Sequence, residues 1–170
     1  MRSARVAEAT ARNEPLPHGV RIGIDYGSVR IGVAASDPEG TMAFPVATVK
    51  QGASAVDEVL GIVDEREGAQ VFVGLPRGLG GHEGVAAKRA RAFAGALVER
   101  LAIPVRLIDE RFSTTQAATA LGEAGLDSRR RRSVIDQAAA VVILERALDT
   151  EKRGNLDTVA PRLVREGNDD

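Results

Sequence analysis

RIGIDYGSVRIGVAASD, residues 21–37, lies across two β-rich runs, 20–26 and 29–36, that meet around Gly27-Ser28. Two such runs about a glycine-containing break are the mark of a β-hairpin. TMAFPVATVK, 41–50, reads as a third strand. Pro45 cannot donate to a ladder and so places that strand at an edge or a bulge. The chain therefore opens on an antiparallel three-strand meander. Asp25 interrupts the first apolar run. An ionised carboxylate buried without a partner is very costly. Asp25 needs a hydrogen-bonded structural role, a cation or a substrate proton.

Downstream, Val56, Val59, Leu60 and Val63 recur at helical spacing within 52–67. QVFVGLP, 70–76, is short and almost wholly apolar, as a buried central strand is. Val85, Phe93, Leu97 and Leu101 mark a helix over 84–103 that Pro104 ends, and VRLIDER, 105–111, is the next strand. Ser113 can cap a helix running to about Glu123, with Gly125 as its stop. The last helix, 133–150, is apolar on nearly every side from Val134 to Leu144 and must be mostly buried. The order β-β-β-α-β-α-β-α-α predicts an α/β protein with a mixed sheet and helices on both faces. We read 19–152 as a single domain. Residues 1–18 and 153–170 read as flexible tails on polar composition and Pro/Gly content.

Composition narrows the chemistry. The 170 residues are 44% hydrophobic and 28% charged, an ordinary globular balance. Aromatics are 3% with no Trp and one Tyr, which argues against base stacking on several rings. There is no cysteine, so disulfides, thiolate metal sites and a cysteine nucleophile are excluded, in keeping with a cytoplasmic protein. His18 and His82 are the only histidines, too few for a three-histidine zinc site. A metal would be held mainly by carboxylates, which favours magnesium or manganese. The N-terminal stretch lacks the apolar core of a signal peptide, and no apolar run reaches membrane-spanning length.

Three carboxylates stand in apolar context: Asp25 in the first strand, Glu110 at the end of the last, Asp136 near the start of the last helix. Sites in α/β sheets gather at strand ends. If the first and last parallel strands are neighbours, Asp25 and Glu110 lie side by side and the last helix brings Asp136 to them. Each acid also has a plainer role. Asp25 can bond the Gly27-Ser28 turn. Asp136, three residues after Ser133, fits a capping box. Glu110 can pair with Arg111 or Arg106 at the surface. As a group the three acids repel, and a divalent cation reverses that repulsion. Two such ions about 4 Å apart activate a water and stabilise the leaving oxygen in phosphodiester cleavage.

GIDYGSVRIGVAASD, VGLPRGLGGHEG, DERFSTTQA and VIDQAAAVVILERAL, in that order, resemble the motifs of the YqgF family. It is also called the RuvX or Holliday-junction-resolvase-like family, and its members are described as pre-16S rRNA nucleases. The resemblance spans about residues 20–150. It implies a ribonuclease H-like fold, with Asp25, Glu110 and Asp136 as metal-binding catalytic acids. It implies a nuclease dependent on Mg2+ or Mn2+, with two ions, that matures the 5′ end of pre-16S rRNA. DNA four-way junction resolution by a dimer is the nearest alternative. A non-catalytic RNA-binding assembly factor is a second. An actin-like ATPase is disfavoured because such enzymes bind ATP between two domains.

SRRRRS, 128–133, sets Arg129, Arg130, Arg131 and Arg132 just before the Asp136 helix. A charge run is usually a solvated loop, but this one adjoins the acids, and clustered arginine is the electrostatic footprint of nucleic-acid binders. Ser113 and Thr114 stand at a helix start and can cap it or bind phosphate. Arg30 can reach the site from the second strand. The glycine-rich 77–84 loop is either a flexible connection or a phosphate approach, and His82 within it is a tempting base, though a lone histidine in such a loop is usually just exposed and a metal-bound water makes a base dispensable.

Overall fold

The computed structural model describes residues 6–8, 18–77, 83–110 and 128–166. Its elements are β1 Val6–Glu8, β2 Val20–Tyr26, β3 Arg30–Ser36, β4 Ala43–Lys50, α1 Ala55–Glu65, β5 Gly68–Leu75, α2 Val85–Arg100, β6 Val105–Asp109, α3 Ser128–Lys152, α4 Leu156–Val159 and β7 Leu163–Arg165. The helix expected over 113–123 lies outside the described residues.

Five strands form one sheet in the order β4-β3-β2-β5-β6. The β2–β3 and β3–β4 pairs are antiparallel, and the β2–β5 and β5–β6 pairs are parallel. The meander is therefore as read, followed by two strands added through helical crossovers. Pro45 sits on the edge strand beside a register shift in which Val33 pairs with Ala47 but Ala34 with Pro45. The missing ladder donor is thus at a bulge on an edge, where it costs least.

Alternation along each strand divides the sheet into two faces. Ile22, Ile24, Ile31, Val33, Val71, Val73 and Leu107 pack with Val59 and Val63 of α1 and Phe93 and Leu97 of α2. On the other face Ala34, Phe72 and Ile108 pack with Ala140, Ile143, Leu144 and Ala147 of α3. Among the described residues this face is covered mainly by the long α3, with Leu156 and Ala160 beside it, and three strand glycines let α3 come close. A Cβ on Gly23 would lie 2.7 Å from Leu144 Cβ and 2.9 Å from the Ala140 carbonyl oxygen. A Cβ on Gly32 would press into the Asp136 carbonyl, and one on Gly74 into Ile143. Glycine inside a strand marks such close approach of another backbone.

α3 begins at Ser128, five residues before the expected start. The arginine run is helical, not a loop, as suits a good helix former. Ser133 is consequently inside the helix and caps nothing; its hydroxyl lies 2.9 Å from that of Thr48 on β4. The capping-box reading of Asp136 fails with it.

In the segment that composition marks as a C-terminal tail, Leu156, Ala160 and Leu163 are buried, and β7 pairs antiparallel with β1. The anchor is Arg106, 3% exposed, which donates to Gln70 Oε1 at 2.7 Å and to Asp157 Oδ1 and the Ala160 carbonyl at 2.8 Å. A buried guanidinium requires such partners, and two of the three come from beyond residue 152. Arg21 plays the same part for α3, pairing with Glu151 and donating to the carbonyls of Gly19 and Pro38. No helix among the described residues is long and apolar enough to cross a membrane.

Candidate functional site

Arg21 and Arg106 lie at the beginnings of β2 and β6, and the acids lie at their ends. Asp25 is the penultimate residue of β2, and Glu110 directly follows β6. Both fall on the α3 face, by alternation from Gly23 and Ile108. The expectation that their strands are neighbours is not met, because β5 runs between them. They meet nonetheless, since β5 presents Gly74 at that level. A Cβ there would stand 2.5 Å from Glu110 Oε2. The Glu110 amide donates to the Leu75 carbonyl at 3.2 Å, which fixes the residue against β5 after the strand has ended.

Asp25 and Glu110 share a hydrogen bond. Two carboxyls can do so only with a proton between them. Burial, then the charge of Asp136, raises the Asp25 pKa to about 6, partly offset by the hydrogen bond from Glu110. Burial, then the charges of Asp25 and Asp109, and that same hydrogen bond raise Glu110 to about 8. Both carboxyls are thus held toward the protonated form, Glu110 further than Asp25. Two half-buried carboxyls that resist ionising together fit a divalent cation, whose charge inverts the repulsion and whose preference is for hard oxygen ligands.

Asp136 comes to the pair on α3, held by the contact of its backbone with Gly32. Its side chain is turned to β3, where Oδ2 accepts from Arg30 Nε at 2.6 Å. Among the described residues no three His, Cys, Asp or Glu side chains stand together as a metal-binding group. The expected triad is a proton-sharing pair with its third acid close by and engaged by Arg30.

Among the described residues these acids do not fill their plainer roles, and the pairing of Glu110 with Arg111 lies outside those residues. The hairpin turn is closed by the Gly27 amide on the Arg30 carbonyl at 3.0 Å and by Gln51 Nε2 on the Gly27 carbonyl at 2.6 Å, while Asp25 bonds Glu110 instead. Arg106 is committed to Gln70, Asp157 and Ala160, not to Glu110. Arg130 and Arg132 are exposed on the first turns of α3, and Arg131 is half-buried. The side chain of Arg129, together with Arg111, Ser113, Thr114 and His82, lies outside the described residues. Gly32 and Gly74 position two of the acids, and residue type alone does not single them out. The available signal is a glycine inside each of the apolar runs 29–36 and 70–76, neither of which carries one of the three acids.

A family model described as RuvX, Holliday junction resolvase, matches residues 19–150. A protein of Thermobifida fusca is 50% identical over 146 residues, covering 81% of this chain and 92% of its own length. One of a Nocardioides species is 53% identical over 140 residues, covering 79% and 90%. Both carry the name "Putative pre-16S rRNA nuclease". Among solved structures, Thermus thermophilus RuvC in complex with a Holliday junction substrate superimposes with a TM-score of 0.53 at 20% identity, covering 85% of this chain and 99% of that one. That likeness bears on the fold, which is ribonuclease H-like. With a family match across the whole sheet and α3, and half-identical relatives along most of their length, this chain belongs to the RuvX family.

Proposed function

We propose that this chain is a divalent-metal-dependent endonuclease that processes the 5′ end of pre-16S rRNA in the cytoplasm. The observation that carries the reading is the half-buried, hydrogen-bonded Asp25–Glu110 pair with Asp136 beside it, at the carboxyl ends of parallel strands. The names of the half-identical relatives supply the substrate. Asp25 and Glu110 would hold Mg2+ or Mn2+, and Asp136 would complete the donor set for a second ion. When bound, the ions supply an activated water and charge stabilisation at the leaving oxygen. The chain's own part is to hold the acids on rigid elements, with α3 as the wall. To hold the cation, Glu110 would have to be ionised.

The test is cleavage of a labelled precursor-rRNA leader by wild type and Asp25→Asn, with Mg2+, Mn2+ or chelator. We expect cleavage that needs the metal and falls at least 10²-fold in the variant, with unchanged circular dichroism. Equal cleavage by both proteins defeats the reading. Cutting confined to a four-way DNA junction in the same assay replaces the RNA substrate by DNA.

The substrate is a polyanion, and α3 carries the basic run beside the acids. Neutralising Arg130 and Arg131 together should weaken RNA binding across sequences and make the slope of log affinity against log salt shallower by about one to two. Filter binding between 50 and 200 mM salt reads this, and an unchanged slope removes these arginines from the interface.

A further inference from the structure

We propose that Arg30 is a positioning residue that withholds Asp136 from the metal site and passes from that carboxylate to a substrate phosphate when a divalent cation binds. The proposal rests on the metal-nuclease reading above and adds the device that controls assembly of its site.

Three observations carry it. The Arg30 Nε to Asp136 Oδ2 distance is 2.6 Å, and the two side chains are 29% and 19% exposed. A charge-assisted bond that is largely shielded from water is stronger than a surface ion pair. The same carboxylate is near enough to Asp25 to raise its pKa, yet no group of three acids forms among the described residues. Asp136 therefore acts on Asp25 through its charge while its own oxygen is engaged by Arg30. Finally, both backbones are fixed. Arg30 lies on β3, flanked by β2 and β4, and the Asp136 carbonyl rests on Gly32. The transfer thus needs only side-chain rotation.

The exchange conserves charge pairing throughout. In the metal-free chain a cation, the guanidinium, already satisfies Asp136. A divalent ion beside Asp25 and Glu110 offers that carboxylate a higher charge. Among the described residues only Nε of Arg30 is engaged by a side chain, and a guanidinium carries five N–H donors. Once released, it presents its fork at the edge of the site, a geometry matched to a phosphodiester oxygen pair. The arginine that disfavours the empty site's third ligand then favours the anionic substrate.

Mn2+ titration calorimetry on the full chain separates the outcomes, using wild type, Arg30→Gln, Arg30→Lys and Asp25→Asn. We expect Arg30→Gln to bind Mn2+ about tenfold more tightly than wild type, because a unit positive charge next to a ligand has gone. Lysine at the position should restore wild-type metal affinity, since it keeps the charge and the fold. In the cleavage assay Arg30→Gln should raise KM for the RNA leader several-fold, with a salt slope shallower by about one. Asp25-dependent Mn2+ binding by wild type with no tightening in Arg30→Gln overturns the Arg30 proposal alone. Mn2+ binding that is absent, or unaffected by Asp25→Asn, overturns the metal site and this proposal with it.

Discussion

Gly32→Ala should lower leader-RNA cleavage by roughly 10²-fold or more, although residue 32 touches neither metal nor substrate. A Cβ at this position would press into the carbonyl oxygen and carbon of Asp136, well inside 3 Å, and both are backbone atoms of a helix. A helix cannot yield there by turning one side chain. It must move away from the sheet by about 1 Å, a displacement that alone costs a catalytic constellation roughly 10²-fold. Asp136 moves with it and loses register with Asp25 and Arg30. Overpacking of this kind also costs about 1–3 kcal/mol of stability. The informative comparison is Gly74→Ala. Its added methyl meets the outer atoms of Ile143 and Glu110 Oε2, which can rotate. That variant should keep most of its thermal stability and still lose activity, because the Glu110 carboxyl is the group displaced. Thermal melts and single-turnover cleavage on the two variants measure both quantities. A Gly32→Ala protein with wild-type rates would mean that α3 does not set the position of Asp136.

The same contacts explain what the sequence does and does not disclose. The meander is legible because β2 and β3 carry branched residues around a glycine turn, and because Pro45 tolerates only an edge. The acids are legible as charges in apolar strands. The route by which they meet is not. Insertion of β5 between β2 and β6 is a matter of long-range pairing, and spacing along the chain does not encode it. The start of α3 is hidden for a local reason. Ser133 and Asp136 imitate a capping box, while the arginines before them, which favour helix, read as a solvated loop. The partner that reveals the true start, Thr48, is 85 residues away.

Arg30 and Arg106 show the same limit in opposite directions. Nothing local in the sequence ties Arg30 to the site, since its contact with Asp136 spans 106 residues. Arg106 reads as a surface partner for Glu110, yet it is buried on the α3 face at the far end of its strand. What buries it is the stretch Leu156 to Leu163, whose few apolar residues stand among polar ones and carry no sustained period. Such a segment reads as a tail until the guanidinium beneath it is seen to need Asp157 and the Ala160 carbonyl.

Metal-free protein should lose stability as pH rises from about 4.5 to about 8, and Glu110→Gln should remove most of that slope. The folded state holds the Glu110 proton more tightly than the unfolded chain, whose carboxyl ionises near 4.5. Stability from this group is therefore complete below the unfolded value. It declines through the interval and is gone above the folded value. Asp25 contributes with the same sign between 3.8 and about 6. A tenfold difference in proton affinity between the folded and unfolded states is worth about 1.4 kcal/mol, and both acids contribute a loss of the same sign. Glutamine carries no proton to lose and does not repel Asp25. Above pH 8 the variant should thus be more stable than wild type in chelator and inactive in cleavage. Mn2+ should reverse the comparison, raising the melting temperature of wild type more at pH 8 than at pH 5 and leaving the variant almost unmoved. Urea melts at pH 5, 7 and 9, with EDTA or Mn2+, read all of these arms. Parallel slopes for wild type and Glu110→Gln would place the pH dependence elsewhere. The burial and mutual repulsion that disfavour the ionised pair are what a cation offsets, so an acid pair optimised for stability could not be one optimised to bind metal.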